Sequence, residues 1–260
     1  MTRSTDSLGI RPVALVTGVG RASGIGFAVA QQLARDGYDV ATSYWPPYDR
    51  RIFPDYEEGI ASDVVNSLER LGARGVPLES DLEDPEVAPQ LFDSVEATLG
   101  PVSALVMCHC ESVNTGILDT TVQGFDRHFA VNARATWLLI REFGVRYTSA
   151  SGRGRIVAFT SDATVGNIPY GASKGALDRI TIAAAQEFAD MGITANVINP
   201  GPTDTGWMTS RLKSQVVGDT PLGRIGMPQD AANLVSFLCS TEGGWVNGQL
   251  LHSNGGLGVG

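Results

Sequence analysis

Residues 16–26 read "VTGVGRASGIG", and residues 27–37 continue as "FAVAQQLARDG". The first stretch closes an apolar, strand-like run, "PVALVTG" (12–18), and the second has the apolar spacing of a helix. A glycine-rich turn between a strand and a helix lets the backbone bend sharply and approach a phosphate. The helix N-terminus then supplies partial positive charge. In this context the turn reads as the pyrophosphate-binding element of a dinucleotide site. A glycine-rich connection with no ligand is the plainer alternative, and it leaves the flanking strand and helix as coincidence.

Further along the chain, β-like runs alternate with helical patterns. The runs are "DVATSY" (39–44), "GVPLESDL" (75–82), "ALVMCHC" (104–110), "RIVAFTS" (155–161), "TANVINPG" (194–201) and "GQLLHSNG" (248–255). Several are almost continuously apolar, as parallel strands covered on both faces require. Ile60, Val64, Leu68 and Leu71 recur at helical spacing, as do Val87, Leu91, Val95 and Leu99. Asp84-Pro85 suits the N-cap and first position of the second of these helices. The expected fold class is α/β: one domain over 11–260 after a short tail (1–10), with a doubly wound seven-stranded parallel sheet. Ligands of such sheets bind beyond the carboxyl ends of the strands.

The composition narrows the function. A net charge of −9 argues against nucleic acid, because an acidic surface repels phosphate. Hydrophobic residues make up 43% of the chain, yet no apolar run approaches the ~20 residues of a membrane helix. The opening "MTRSTDSLGIRP" has no apolar segment of the secretory kind. Three cysteines suit a reducing cytoplasm better than a disulfide scaffold. Met107, Cys108, His109 and Cys110 invite a metal reading, but Cys-x-Cys with one histidine gives no tetrahedral set. Strand alternation would also turn His109 away from the thiols, so no metal is expected and the thiols read as buried and inert.

Tyr170 and Lys174 stand four apart in "YGASKGALDRITIAAAQEF", a spacing that puts both on one helix face. A nearby ammonium favours phenolate and so lowers a tyrosine pKa, which makes Tyr170 an acid/base candidate. With the glycine turn and the strand order, these residues resemble the short-chain dehydrogenase/reductase family. Thr17, Gly18, Gly24 and Gly26 match its Thr-Gly…Gly-x-Gly, although the spacer Val19–Ser23 is two residues longer than usual. The resemblance runs from about residue 10 to the end of the chain. It implies a Rossmann-type fold, a nicotinamide cofactor, and a homotetramer or dimer. It also implies a catalytic set of Ser161, Tyr170, Lys174 and Asn132.

In that set Ser161 binds the substrate carbonyl, and Asn132 holds a relay water beside Lys174. Ser161 and Tyr170 differ by nine positions, fewer than the family's usual dozen or so. Nine extended residues still span about 30 Å. The shortening is therefore expected to reshape the substrate pocket rather than break the set. Thr160 and Thr164 are reserve hydroxyls.

The cofactor would meet Thr17, Gly18, Gly20, Arg21, Ser23, Gly24, Ile25, Gly26, Tyr44, Asp81, Leu82, Lys174, Pro200, Gly201, Thr203 and Thr205. Asp81, placed by the resemblance at the adenine, could equally cap a turn. The second strand ends in Tyr44 rather than in the acid that binds a ribose 2′-hydroxyl, and Asp49 comes too late, beyond two prolines. With that acid missing, NADP(H) is favoured and NAD(H) stays open. Arg21, Arg50 or Arg51 could pair a 2′-phosphate.

The segment around 203–225 resembles the family's substrate lid, with Trp207, Met208 and Leu212 as pocket or packing residues. The resulting expectation is a cytoplasmic carbonyl reductase or alcohol dehydrogenase similar to 3-oxoacyl-carrier-protein reductases. The competitor is a nucleotide-binding sensor on the same fold with weakened catalysis.

Overall fold

A computed structural model describes residues 11–53, 56, 58–148 and 152–258; the short tail expected at 1–10 lies outside the described residues. Seven parallel strands form one sheet: β1 (Val13–Thr17), β2 (Asp39–Tyr44), β3 (Gly75–Glu79), β4 (Val102–Met107), β5 (Gly154–Phe159), β6 (Ile193–Asn199) and β7 (Leu250–His252). Their order across the sheet is β3-β2-β1-β4-β5-β6-β7. The direction of winding reverses between β1 and β4, which opens a crevice at their carboxyl ends. Register brings Thr17 beside both Ser43 and Met107, and Phe159 beside Ile198, so the strand ends form one floor. This is the Rossmann-type α/β fold expected from the sequence.

Alternation along the strands builds two cores. Val13, Leu15, Leu105 and Ile156 face one layer. There they meet helices α4 (Val87–Thr98), α6 (Ala135–Arg146) and α7 (Ile168–Glu187) through Phe92, Val95, Phe143 and Leu177. Ala14, Val16, Val106 and Val157 face the other layer. Helices α1 (Ile25–Arg35), α3 (Ile60–Arg70) and α9 (Pro228–Cys239) cover that side with Val29, Leu33, Val64, Leu68 and Val235.

Three local departures from the sequence reading matter for the site. β4 ends at Met107, so residues 108–110 lie past the strand and its alternation does not govern them. The segment after β2 is a helix, α2 (Pro46–Ile52), with proline in its first turn, where the missing N–H costs nothing. Asp84 caps the backbone N–H of Glu86, and α4 starts at Val87, a little later than Asp84-Pro85 suggests. Helices α5 (Val122–His128) and α8 (Ser210–Asp219) complete the chain, and a π-helical turn (Phe129–Arg134) joins α5 to α6.

Candidate active site

A cleft of about 1060 Å3 lies over the carboxyl ends of the strands. Gly18, Gly20, Arg21, Gly24, Ile25 and Gly26 line one end of it, with Tyr44, Asp81 and Leu82 nearby. Gly18 has φ +76°, and a Cβ there would stand 2.5 Å from the His109 backbone nitrogen. A Cβ at Gly26 would stand 2.7 Å from the Gly18 carbonyl oxygen. Only glycine lets the turn close this tightly on the neighbouring strand end. Helix α1 starts at Gly24 with no side-chain cap and no acid in its first turn. Its first N–H groups are thus left for an anion from outside. Together with the clearance along the turn, this donor set fits a dinucleotide pyrophosphate. Pro200, Gly201, Thr203 and Thr205 line the opposite wall after β6.

The other end carries the acid/base groups. Ser161 lies just past β5, while Tyr170 and Lys174 project from α7 into the cleft. The Lys174 ammonium lies 5.8 Å from the centre of the Tyr170 ring. It donates to the carbonyls of Phe159 (2.8 Å) and His109 (3.4 Å), which offset part of the cost of burying its charge. Burial holds the Lys174 pKa below the ordinary lysine value. Burial also pushes the Tyr170 phenol above its ordinary value, with the Cys110 thiol adding to the rise. A hydrogen bond between Ser161 and Tyr170 acts in the opposite direction. The lowering expected from Lys174 is therefore not what governs this phenol; desolvation outweighs it, and Ser161 supplies the opposing effect.

The shortened loop works because of Gly171. A Cβ there would stand 2.6 Å from Thr164 Oγ1 and 2.7 Å from the Ala163 carbonyl, so residues 162–167 pack directly on the first turn of α7. Asn199 ties the loop down by donating to Asp162 Oδ2 at 2.6 Å. The Thr164 hydroxyl donates to the Asp162 carbonyl and does not line the cleft. Thr160 is buried at the floor of the cleft. Of the three hydroxyls, Ser161 is the one that acts on the Tyr170 phenol, easing its ionisation.

Several expected residues sit elsewhere. The Thr17 hydroxyl is buried and bonded to His109 Nδ1 at 2.6 Å, facing away from the cleft. His109 is a neutral partner there, since burial and the nearby Lys174 charge hold its pKa down at about 3. Ser23 is exposed, and its hydroxyl bonds the Thr205 carbonyl and Arg21. Asn132 is fully buried: its Oδ1 accepts from the Glu111 N–H, and its Nδ2 donates to the Glu111 carbonyl and to Ser173 Oγ. Its side chain holds the loop after β4 against α7. Met208 is buried and Leu212 lies off the cleft, which leaves Trp207 as the aromatic at its rim. The Asp81 carboxylate lines the cleft and also accepts from the Glu83 N–H, so it does cap a turn.

The three arginines set aside for a 2′-phosphate are all engaged. Arg50 pairs with Glu58, Arg51 with Glu111, and Arg21 with Asp49. The sequence reading missed what α2 brings in. Tyr48 reaches Cys110 Sγ at 3.9 Å, and burial, with Cys110, Glu111 and Tyr170 nearby, holds its phenol above the ordinary value. Asp49, set aside as too late, reaches the glycine turn. Its helical turn beginning at two prolines was the available signal. Among the described residues no cluster of three or more His, Cys, Asp and Glu side chains is placed to hold a metal.

A family model described as Enoyl-(Acyl carrier protein) reductase matches residues 18–258. An uncharacterized oxidoreductase of Bacillus subtilis, YjdA, is 34% identical over 250 residues, covering 94% of this chain and 96% of that protein. Among solved structures, a blue fluorescent protein from a metagenomic library in complex with NADPH superposes with a TM-score of 0.84 at 31% identity. It covers 95% of this chain and 98% of its own. A 3-oxoacyl-[acyl-carrier protein] reductase from Brucella melitensis gives a TM-score of 0.83 at 25% identity, over 96% and 98% of the two chains. Likeness of this extent, on a parallel sheet with a glycine turn at one end of its crevice and a tyrosine–lysine pair at the other, places the protein in the short-chain dehydrogenase/reductase family of oxidoreductases.

Proposed function

We propose that the protein is an NADP(H)-preferring carbonyl reductase or alcohol dehydrogenase, acting on a ketone and the matching secondary alcohol in the manner of 3-oxoacyl-carrier-protein reductases. The observation that carries this reading is the meeting of Ser161, Tyr170 and the buried Lys174 at one end of the cleft, with the Lys174 ammonium 5.8 Å from the centre of the Tyr170 ring. A reduced nicotinamide supplies the hydride when bound. Ser161 orients the carbonyl oxygen by donating to it, and Tyr170 passes its phenolic proton to that oxygen. Lys174 keeps a positive charge beneath the phenol, which stabilises the phenolate left behind. Asn132 is a positioning residue: it fixes the loop carrying Cys110 and Glu111 against α7.

Two observations support NADP(H): β2 ends in Tyr44 with no carboxylate, and one similar structure holds NADPH. The segment 203–225, which contains α8 and places Trp207 at the cleft, serves as the substrate lid. A reducing cytoplasm suits the three free cysteines; the family resemblance supports a homo-oligomer. No described helix is long and apolar enough to cross a membrane.

The description of the matching family model raises a second reading, reduction of an enoyl double bond. The presence of Ser161 and Tyr170 on one cleft supports carbonyl chemistry instead, because two hydroxyl donors suit a single carbonyl oxygen. The test follows NADPH and NADH oxidation over ketones, 3-oxoacyl thioesters and enoyl thioesters, with Tyr170→Phe in parallel. Turnover of ketones or 3-oxoacyl thioesters, abolished by Tyr170→Phe, is expected. Turnover of enoyl thioesters alone, or of nothing despite cofactor binding, overturns the proposal.

A further inference from the structure

The glycine turn is built to receive an anion, and the chain itself already supplies one. Helix α2 carries Asp49 back over the turn, where the carboxylate fills the space a side chain at Gly20 would need; a Cβ there would overlap it. Asp49 is 6% exposed and lies 3.4 Å from Arg21 Nε. Arg21 is fixed in turn by the Thr205 carbonyl at 2.6 Å and by the Phe53 ring, 3.4 Å from its guanidinium carbon. Two more contacts hold α2 in place: Arg51 donates to both Glu111 oxygens at 2.6 Å, and Tyr48 reaches Cys110. These contacts tie α2 to the turn, to the loop after β4 and, through Arg21, to the wall after β6. Beside this carboxylate the N-terminus of α1 has no side-chain cap.

We propose that Asp49 is an internal competitor for the phosphates of the cofactor: its carboxylate holds Arg21 and the clearance at Gly20 until the dinucleotide displaces it, and so sets cofactor affinity. The inference rests on the nicotinamide-dinucleotide reading of the cleft. Two like charges cannot share the clearance and one guanidinium, so an arriving phosphate must first move the carboxylate. Observed affinity then falls by the fraction of molecules in which Asp49 is already displaced. The competition concerns phosphate, so it acts on NADPH and NADH alike. An acid reading the ribose 2′-hydroxyl would instead set the two cofactors against each other.

The test titrates the wild-type protein, Asp49→Asn and Asp49→Ala with NADPH, NADH and inorganic pyrophosphate, by calorimetry and without substrate. Thermal unfolding checks that each variant is folded. Both variants are expected to bind all three ligands more tightly, by on the order of tenfold. Two variants are used so that one folding failure leaves the other to decide. The wild-type protein gives an independent readout, because saturating pyrophosphate should speed amide exchange within 46–53 as the clasp lets go. Unchanged or weaker binding in the folded variants overturns the proposal, as does slower exchange across α2. Tighter NADPH with weaker NADH assigns Asp49 to the ribose instead and also overturns it. Absence of dinucleotide binding in every form overturns this proposal together with the reading on which it rests.

Discussion

The Tyr170 phenol is pulled in two directions: burial and the Cys110 thiol raise its pKa, and the Ser161 hydrogen bond lowers it. Burial dominates, so the phenol keeps its proton across the neutral range. A protonated phenol is the form needed to reduce a carbonyl, whereas oxidation of an alcohol needs phenolate. The reductive kcat/KM should therefore stay level from neutral into mildly alkaline pH, while the oxidative kcat/KM climbs over the same interval. Parallel pH profiles in the two directions check this. Ser161→Ala removes the one lowering contact, so the oxidative rise should move to higher pH as well as lose amplitude. Tyr170→Phe should cost roughly 10²–10⁴-fold in kcat in either direction. The dissociation constant of the cofactor should move little in that variant, because the phenol acts on the substrate oxygen. Tyr170 and Lys174 were legible in the sequence because helical spacing alone puts positions four apart on one face. The raised pKa was not legible, since it comes from burial in the folded cleft and from the Cys110 thiol, which arrives from elsewhere in the chain.

Two short elements explain how the site is assembled. The π-helical turn Phe129–Arg134 carries Asn132 into the core, where its amide closes against the backbone of Glu111. Asn132→Ala leaves the buried Glu111 N–H and C=O without that partner, a loss of about 1–3 kcal/mol per unpaired group. In a domain of this size each kcal/mol lowers Tm by roughly 2–4 °C. A thermal melt should show that drop, together with a higher KM, because Cys110 and Glu111 line the cleft. A change in kcat alone would instead point to a direct part in proton transfer. Helix α2 makes the contrasting case. The sequence announced a break after Tyr44 through its two prolines. It did not announce that the helix would return to the crevice, because the contacts that hold it join residues about 60 positions apart. The glycine turn and the seven strands were legible because each is a local pattern. The strand ends were less so: residues 108–110 look like strand by hydrophobicity, but β4 ends at Met107, past which His109 turns its ring to the Thr17 hydroxyl.

At the scale of the whole molecule, two apolar layers on one parallel sheet account for most of the interior, and some of the apolar residues left exposed share one helical stretch. The helical stretch 122–146 runs through α5, the π turn and α6 without a break, and it exposes Val122, Phe125, Trp137 and Val145. Trp137 is half exposed and Val145 73% exposed, while the opposite side of α6 buries Leu139, Ile140 and Phe143. A helix apolar on its outer as well as its inner side is a candidate surface for a second copy of the chain, and this is tested by the assembly mass. In a closed symmetric assembly a helix of this kind packs against its own copy, which removes the exposed area without a different partner. Light scattering of the purified protein should therefore give the mass of a dimer or tetramer. Trp137→Glu should shift that mass toward the monomer, because a carboxylate buried without a partner costs far more than the indole contacts it replaces. The variant's melt should stay cooperative, since Trp137 contributes little to the core of its own chain. A monomeric wild-type protein, or a Trp137→Glu variant that keeps the full assembly mass, would remove this face from consideration.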